Sequence, residues 1–169
     1  MPKLLVLFDS DSDDLLRLAE AVAEGARRVR FAEVDIRRIG GTAVDAGGTR
    51  AARHRTLESA DALAAYDGII MGTVPGQADT HDAIAPFSQT ATNLIDKVGS
   101  AFAAVDAGSG RRDLLWSVLT SMADRGMILV PPQITGPSGD VLESAREQGK
   151  RVADVVGWVT HARSHHHHH

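Results

Sequence analysis

A chain of 169 residues with 43% hydrophobic content is long enough for one ordinary core and too short for two comfortable ones. The absence of cysteine excludes disulfides, thiol nucleophiles and cysteine-bound metal, and a mild, mixed net charge of -4 gives no electrostatic case for nucleic acid or an anionic membrane. No apolar stretch approaches the roughly 20 residues of a membrane span, and MPKLLVLFDS is too short for a signal peptide, so a soluble, cytoplasmic protein is expected.

In chain order, Leu4 to Phe8 form an apolar block without alternation, the pattern of a strand buried on both faces of a parallel sheet. A helix follows, its apolar positions Leu15, Leu18, Ala19, Val22, Ala23 and Ala26 recurring at helical spacing with Arg17, Glu20, Glu24 and Arg27 opposite. AEVDIRRI alternates and predicts a strand near a sheet edge; GGTAVDAGGTRAARHRT is a Gly-rich surface connection. LESADALAAYDGIIMGTV predicts a short helix and then a strand at Gly68 to Met71. DAIAPFSQTATNLID reads as a helix pair or one helix broken at Pro86, since proline removes a donor and clashes with the preceding turn. SAFAAVDAG is a further buried strand, RDLLWSVLTSMADRG a helix with a glycine stop, MILVPP a strand closed by prolines, and SGDVLESAREQGKRVADVVGWVTHA a closing amphipathic helix. This alternation predicts an open α/β sheet with helices on both faces, one domain over residues 1–163, with Ser164 and five terminal histidines as an expression tag.

The stretch FDSDSDDLLRLAE brings four aspartates and two serines to the start of the first helix, and it fits three chemical templates that exclude one another. Asp9, Asp11 and Asp13, with Glu20, fall at the spacing of a calcium loop, although Asp14 stands where the sharp turn needs glycine. LLVLFDSDS resembles the haloacid-dehalogenase-type phosphatase signature, in which Asp9 would attack phosphorus and Asp11 act as acid and base around magnesium; such a site needs a lysine, for which Lys97 is a candidate, and a later acidic pair. The third template is a phosphate cradle, backbone N–H groups and the positive end of the helix dipole facing an anion. Helix capping by Asp11, Ser12 or Asp13, with Asp14 complementing the dipole, explains two or three of the aspartates without any ligand.

From LAEAVAEGARR through AEVDIRRI, LAAYDGIIMGT and WSVLTSMADRGMILVP, the chain resembles the flavodoxin-like family of tryptophan-repressor-binding proteins, the type IV NAD(P)H:quinone oxidoreductases, over most of residues 3 to 158. The resemblance implies a flavodoxin-like fold, a five-stranded parallel sheet with helices on both faces. It also implies FMN as cofactor, NAD(P)H and a quinone-like acceptor as partners, and a homo-oligomer among its expectations. The FMN phosphate would lie in the loop after the first strand, on Ser10, Ser12, Asp14, Leu15, Leu16 and Arg17. Ser10 matches the family's opening serine, whereas Asp13 stands for its glycine and Arg17 for its threonine, so weakened FMN binding is expected. The ring-side loop would be Thr73, Val74, Pro75, Gly76, Gln77 and Ala78, lacking the family's aromatic; the loop after the fourth strand would be Asp106, Ala107, Gly108, Ser109 and Gly110, shorter than the family's. The long segment that closes the pocket and builds the family's tetramer is cut to Gln133–Ser138. No catalytic residue or metal ligand is assigned.

Two further readings stand beside this one: a flavin-free relative whose crevice has become a binding or interaction surface, and the phosphatase on Asp9 and Asp11. Trp116 and Trp158, with Leu and Val neighbours on helical faces, are expected to pack; His81, beside Asp79 and Asp82, is the histidine nearest the expected pocket mouth, and His54 shows no chemistry.

Overall fold

The structure, a computed structural model, describes residues 1–9, 13–39, 54–73, 81–104, 110–132 and 140–166. Strands β1 (Lys3–Phe8), β2 (Glu33–Arg38), β3 (Gly68–Thr73), β4 (Val98–Ala103) and β5 (Ile128–Leu129) form one parallel sheet in the order β2-β1-β3-β4-β5. The predicted flavodoxin-like fold is the observed one. The unalternating run Leu4 to Phe8 is fully buried because helices cover both faces of β1, whereas β2 keeps its charged residues half-covered at the sheet edge.

Helices α1 (Asp13–Arg27) and α4 (Val141–His166) lie on one face with Leu4, Val6, Phe8, Ile70 and Phe102 beneath them. They meet backbone to backbone. A methyl group added at Gly25 would overlap the carbonyl of Arg146, and one at Gly149 the carbonyl of Val22, so each glycine admits the other helix. Asp140 caps α4, its Oδ1 accepting from the amides of Leu142 (3.0 Å) and Glu143 (3.4 Å).

The opposite face carries a six-residue 3₁₀ turn (Ala60–Ala65) and helices α2 (His81–Gln89) and α3 (Gly110–Asp124) over Leu5, Leu7, Ile69, Met71 and Ala101. The predicted break at Pro86 does not occur: α2 runs through it and ends at Gln89. Pro86 costs one backbone hydrogen bond, about 1 kcal/mol net, while the adjacent Phe87 is wholly buried, which contributes about 2 kcal/mol. Arg125, just past α3, secures the end of α2 by donating to the carbonyls of Phe87 and Thr90. The glycine stop holds: Gly126 has φ +80, and its amide donates to the Ala123 carbonyl at 2.9 Å.

At the amino ends of the strands, the Lys97 ammonium donates to the carbonyls of Ala64 and Tyr66, and burial lowers its pKa. Tyr66 donates its hydroxyl to Asp35 Oδ2 at 2.7 Å; burial first, and this bond second, raise its pKa to about 12. Beyond the two-residue β5, the exposed edge of β4 is sealed by side chains. Gln148 of α4 donates from Nε2 to the Ala101 carbonyl (2.7 Å) and to Ser100 Oγ (2.9 Å), and Ser100 donates to the Val130 carbonyl (2.8 Å).

The expectation that both tryptophans pack is corrected: Trp116 is 60% and Trp158 70% exposed. The buried stripes of α3 and α4 run through Leu115, Val118 and Leu119, and through Gln148, Val152 and Val156, which turns both rings outward. No helix among the described residues is long and apolar enough to cross a membrane.

Candidate functional site

The connections that follow β1, β3 and β4 all leave from the carboxyl ends of the strands, and between β1 and β3 the order of the sheet reverses direction. In open α/β sheets such a switch point opens the crevice where ligands are taken. Phe8, Gly72 and Phe102 stand in register across it. A side chain at Gly72 would overlap the Phe102 ring, so glycine is what lets that ring lie across the end of β3. The Phe8 ring meets His54 edge to face, centroids 5.9 Å apart, while His54 Nε2 lies 3.4 Å from Glu20 Oε1.

At the centre of the rim, Thr73 Oγ1 donates to Asp9 Oδ2 at 2.8 Å, and the Thr73 carbonyl accepts from the Ala104 amide at 3.0 Å. One contact therefore joins the ends of β1 and β3, and the other the ends of β3 and β4. Thr73 is 2% exposed, so its hydroxyl is held in this bond.

Among the predicted site residues, Asp14 and Arg17 are exposed in the first turns of α1, and Thr73 lies at the rim. Leu15 and Leu16 lie on the same helix, but their side chains are fully buried in the core beneath it. Gly110 is the first residue of α3. Ser10, Ser12, Val74, Pro75, Gly76, Gln77, Ala78, Asp106, Ala107, Gly108 and Ser109 lie outside the described residues, as do Asp11 and the Gln133–Ser138 segment. His81 heads α2. Asp9, absent from the predicted flavin set, is the residue that meets Thr73; its signal was its place one residue past the end of a buried strand. His54, which carried no sequence signal, reaches the same rim through Phe8.

The described residues around the expected phosphate loop carry the wrong charge for a dianion. Asp9 follows β1, Asp13 and Asp14 occupy the first turn of α1, and Arg17 is the cation beside them. Arg17 and Asp14 line a recess of about 280 Å³ with Leu18, Val141 and Leu142, toward the start of α4. Like charges a few ångströms apart repel by about 1 kcal/mol per pair even in water, and one guanidinium does not offset three carboxylates. The carboxylates in the first turn already complement the helix dipole, which is the term that would otherwise attract phosphate.

The other two templates gain nothing from the geometry. Lys97, the lysine the phosphatase would need, lies at the amino ends of the strands, and Asp9 lies at the opposite end. Glu20, the last ligand of the calcium template, faces His54, and among the described residues no three His, Cys, Asp or Glu side chains gather as a metal site.

No family model matches the chain. Solved structures share its fold. A flavodoxin, WrbA-like protein from Agrobacterium tumefaciens is 23% identical with a TM-score of 0.62, the alignment covering 94% of this chain and 99% of that one. Flavodoxin 2 from Bacillus cereus is 18% identical with a TM-score of 0.64, covering 90% and 98%. The NAD(P)H:quinone oxidoreductase from Methanothermobacter marburgensis is 13% identical with a TM-score of 0.50, covering 90% and 97%. At these identities the likeness is one of fold.

Proposed function

We propose that this chain is a flavodoxin-like redox protein, related in function to the NAD(P)H:quinone oxidoreductases, that takes the ring of a flavin at the β1/β3 switch point and passes electrons from NAD(P)H to a quinone-like acceptor. The observation that carries this reading is that β1, β3 and β4 end side by side where the order of the sheet reverses, the place at which open α/β sheets take ligands. The rim residues would act by position: the Thr73–Asp9 bond fixes the floor, and Gly72 with Phe102 keeps the end of β3 flat and apolar. Ser10 and Ser12, residues 74–78 and residues 106–110 would supply the loops around the ligand. The flavin would supply the electron chemistry, and the protein its orientation and electrostatic surroundings.

The carboxylates of Asp9, Asp13 and Asp14 favour a second reading, a flavin-free binding or interaction module in which those side chains occupy the place of the anion. A spectrum separates the two. Protein that is yellow as purified, or that quenches added flavin fluorescence at micromolar concentration and then reduces a soluble benzoquinone with NADPH, supports the redox reading. Colourless protein that quenches no flavin leaves the module.

A further inference from the structure

Resting on the flavin reading above, we infer that the crevice selects a flavin without its phosphate, binding riboflavin in preference to FMN. The two ligands share the ring and the ribityl chain and differ by a phosphate monoester, which carries about -1.5 to -2 charges at neutral pH. Their comparison isolates the corner where this chain carries Asp9, Asp13 and Asp14 against Arg17.

The hydrogen-bonding chemistry agrees with the charge. An ionised carboxylate only accepts, and so does a phosphate dianion, so the two have nothing to exchange; the hydroxyls of a ribityl chain are donors that a carboxylate receives well. Asp9 is fixed at the edge of this corner by the Thr73 hydroxyl, which donates to its Oδ2 at 2.8 Å from a position that is 2% exposed. Arg17 lines its recess together with the carboxylate of Asp14. Each carboxylate within about 4 Å of the phosphate weakens FMN about fivefold relative to riboflavin in water, and salt screens that repulsion.

The test is a fluorescence-quenching titration of the full chain with riboflavin and with FMN, at low salt and again at about 0.5 M salt. The expected result is a dissociation constant for riboflavin at least about fivefold below that for FMN at low salt, with the gap narrowing at high salt. Asp9→Asn and, separately, Asp14→Asn should each move the riboflavin-to-FMN ratio about fivefold toward FMN. Asp14 is exposed on the first turn of α1, so its variant keeps the test decisive when Asp9→Asn does not fold. FMN binding as tightly as riboflavin or tighter at low salt, or a ratio that salt and both variants leave unmoved, overturns the inference while sparing the flavin reading. If neither riboflavin nor FMN binds, that reading is removed and the inference falls with it.

Discussion

On one side of the sheet α1 and α4 meet through their main chains, at Gly25 against Arg146 and Gly149 against Val22; on the other, Met122 of α3 meets Gly99 of β4 through a flexible side chain. The same residue type shows the difference. A methyl group at Gly149 would meet a carbonyl, which moves only if the whole helix moves. One at Gly99 of β4 would meet Met122 Sδ at 2.7 Å and Met127 Cε at 3.0 Å, atoms that swing aside on three rotatable bonds. The rigid side bears the acidic corner at the start of α1. The compliant side bears α2, to which the proposed ring-side loop leads. Electrostatic discrimination needs charges that cannot relax away from an unwelcome phosphate, whereas a planar ring tolerates a wall that adjusts.

Substitutions can break or sharpen this contrast, beginning with the largest effect. Gly149→Ala should destabilise the protein by about 3 kcal/mol in urea unfolding, even though alanine is favoured in a helix interior by about 1 kcal/mol. A loss under about 1 kcal/mol would mean that the helices separate easily and that the rigid side is not rigid. Gln148→Leu leaves the Ala101 carbonyl without its side-chain donor and should cost about 2 kcal/mol by the same measurement.

On the compliant side, the Tyr66 pKa is raised from 10.0 to about 12, chiefly by burial and then by its bond to Asp35. The folded state therefore holds this proton more tightly than the unfolded chain, so the contribution is full below pH 10 and is lost as pH rises toward 12. Lys97 is shifted the other way, so its part of the stability grows with pH and is complete by pH 10.5. Between pH 10 and 12 unfolding midpoints should fall by the equivalent of about 1–2 kcal/mol, and Tyr66→Phe should flatten that slope. An unchanged slope would place the titration elsewhere. Smallest of all, Gly99→Ala should cost less than about 1 kcal/mol; a loss equal to that of Gly149→Ala would erase the contrast between the faces.

Much of this architecture was legible in the sequence because burial writes itself into composition. The unbroken apolar runs Leu4–Phe8 and Gly68–Met71 announced strands covered on both faces, and the charged alternation of Glu33–Arg38 announced an edge. What misled was local evidence weighed without its surroundings. Pro86 carries a real penalty, but the sequence does not show that Phe87 will be buried beside it. Trp116 and Trp158 have apolar neighbours in the chain, yet their angular positions lie off the buried stripes, and a large ring at the border of a stripe can turn either way. At the site, the departure of Asp13 and Arg17 from the glycine and threonine of the family the sequence resembles was visible letter by letter. The pairing of Asp9 with Thr73 was not, because it joins residues 64 positions apart and depends on which strands become neighbours. The Gln148 contact with β4 was hidden for the same reason.

Helix α4 is fastened at two places: by its glycine crossing to the second half of α1, and by Gln148 to β4, two residues before the strand ends. It works as a tie-beam. A displacement of α4 therefore acts on α1 and on β4 together.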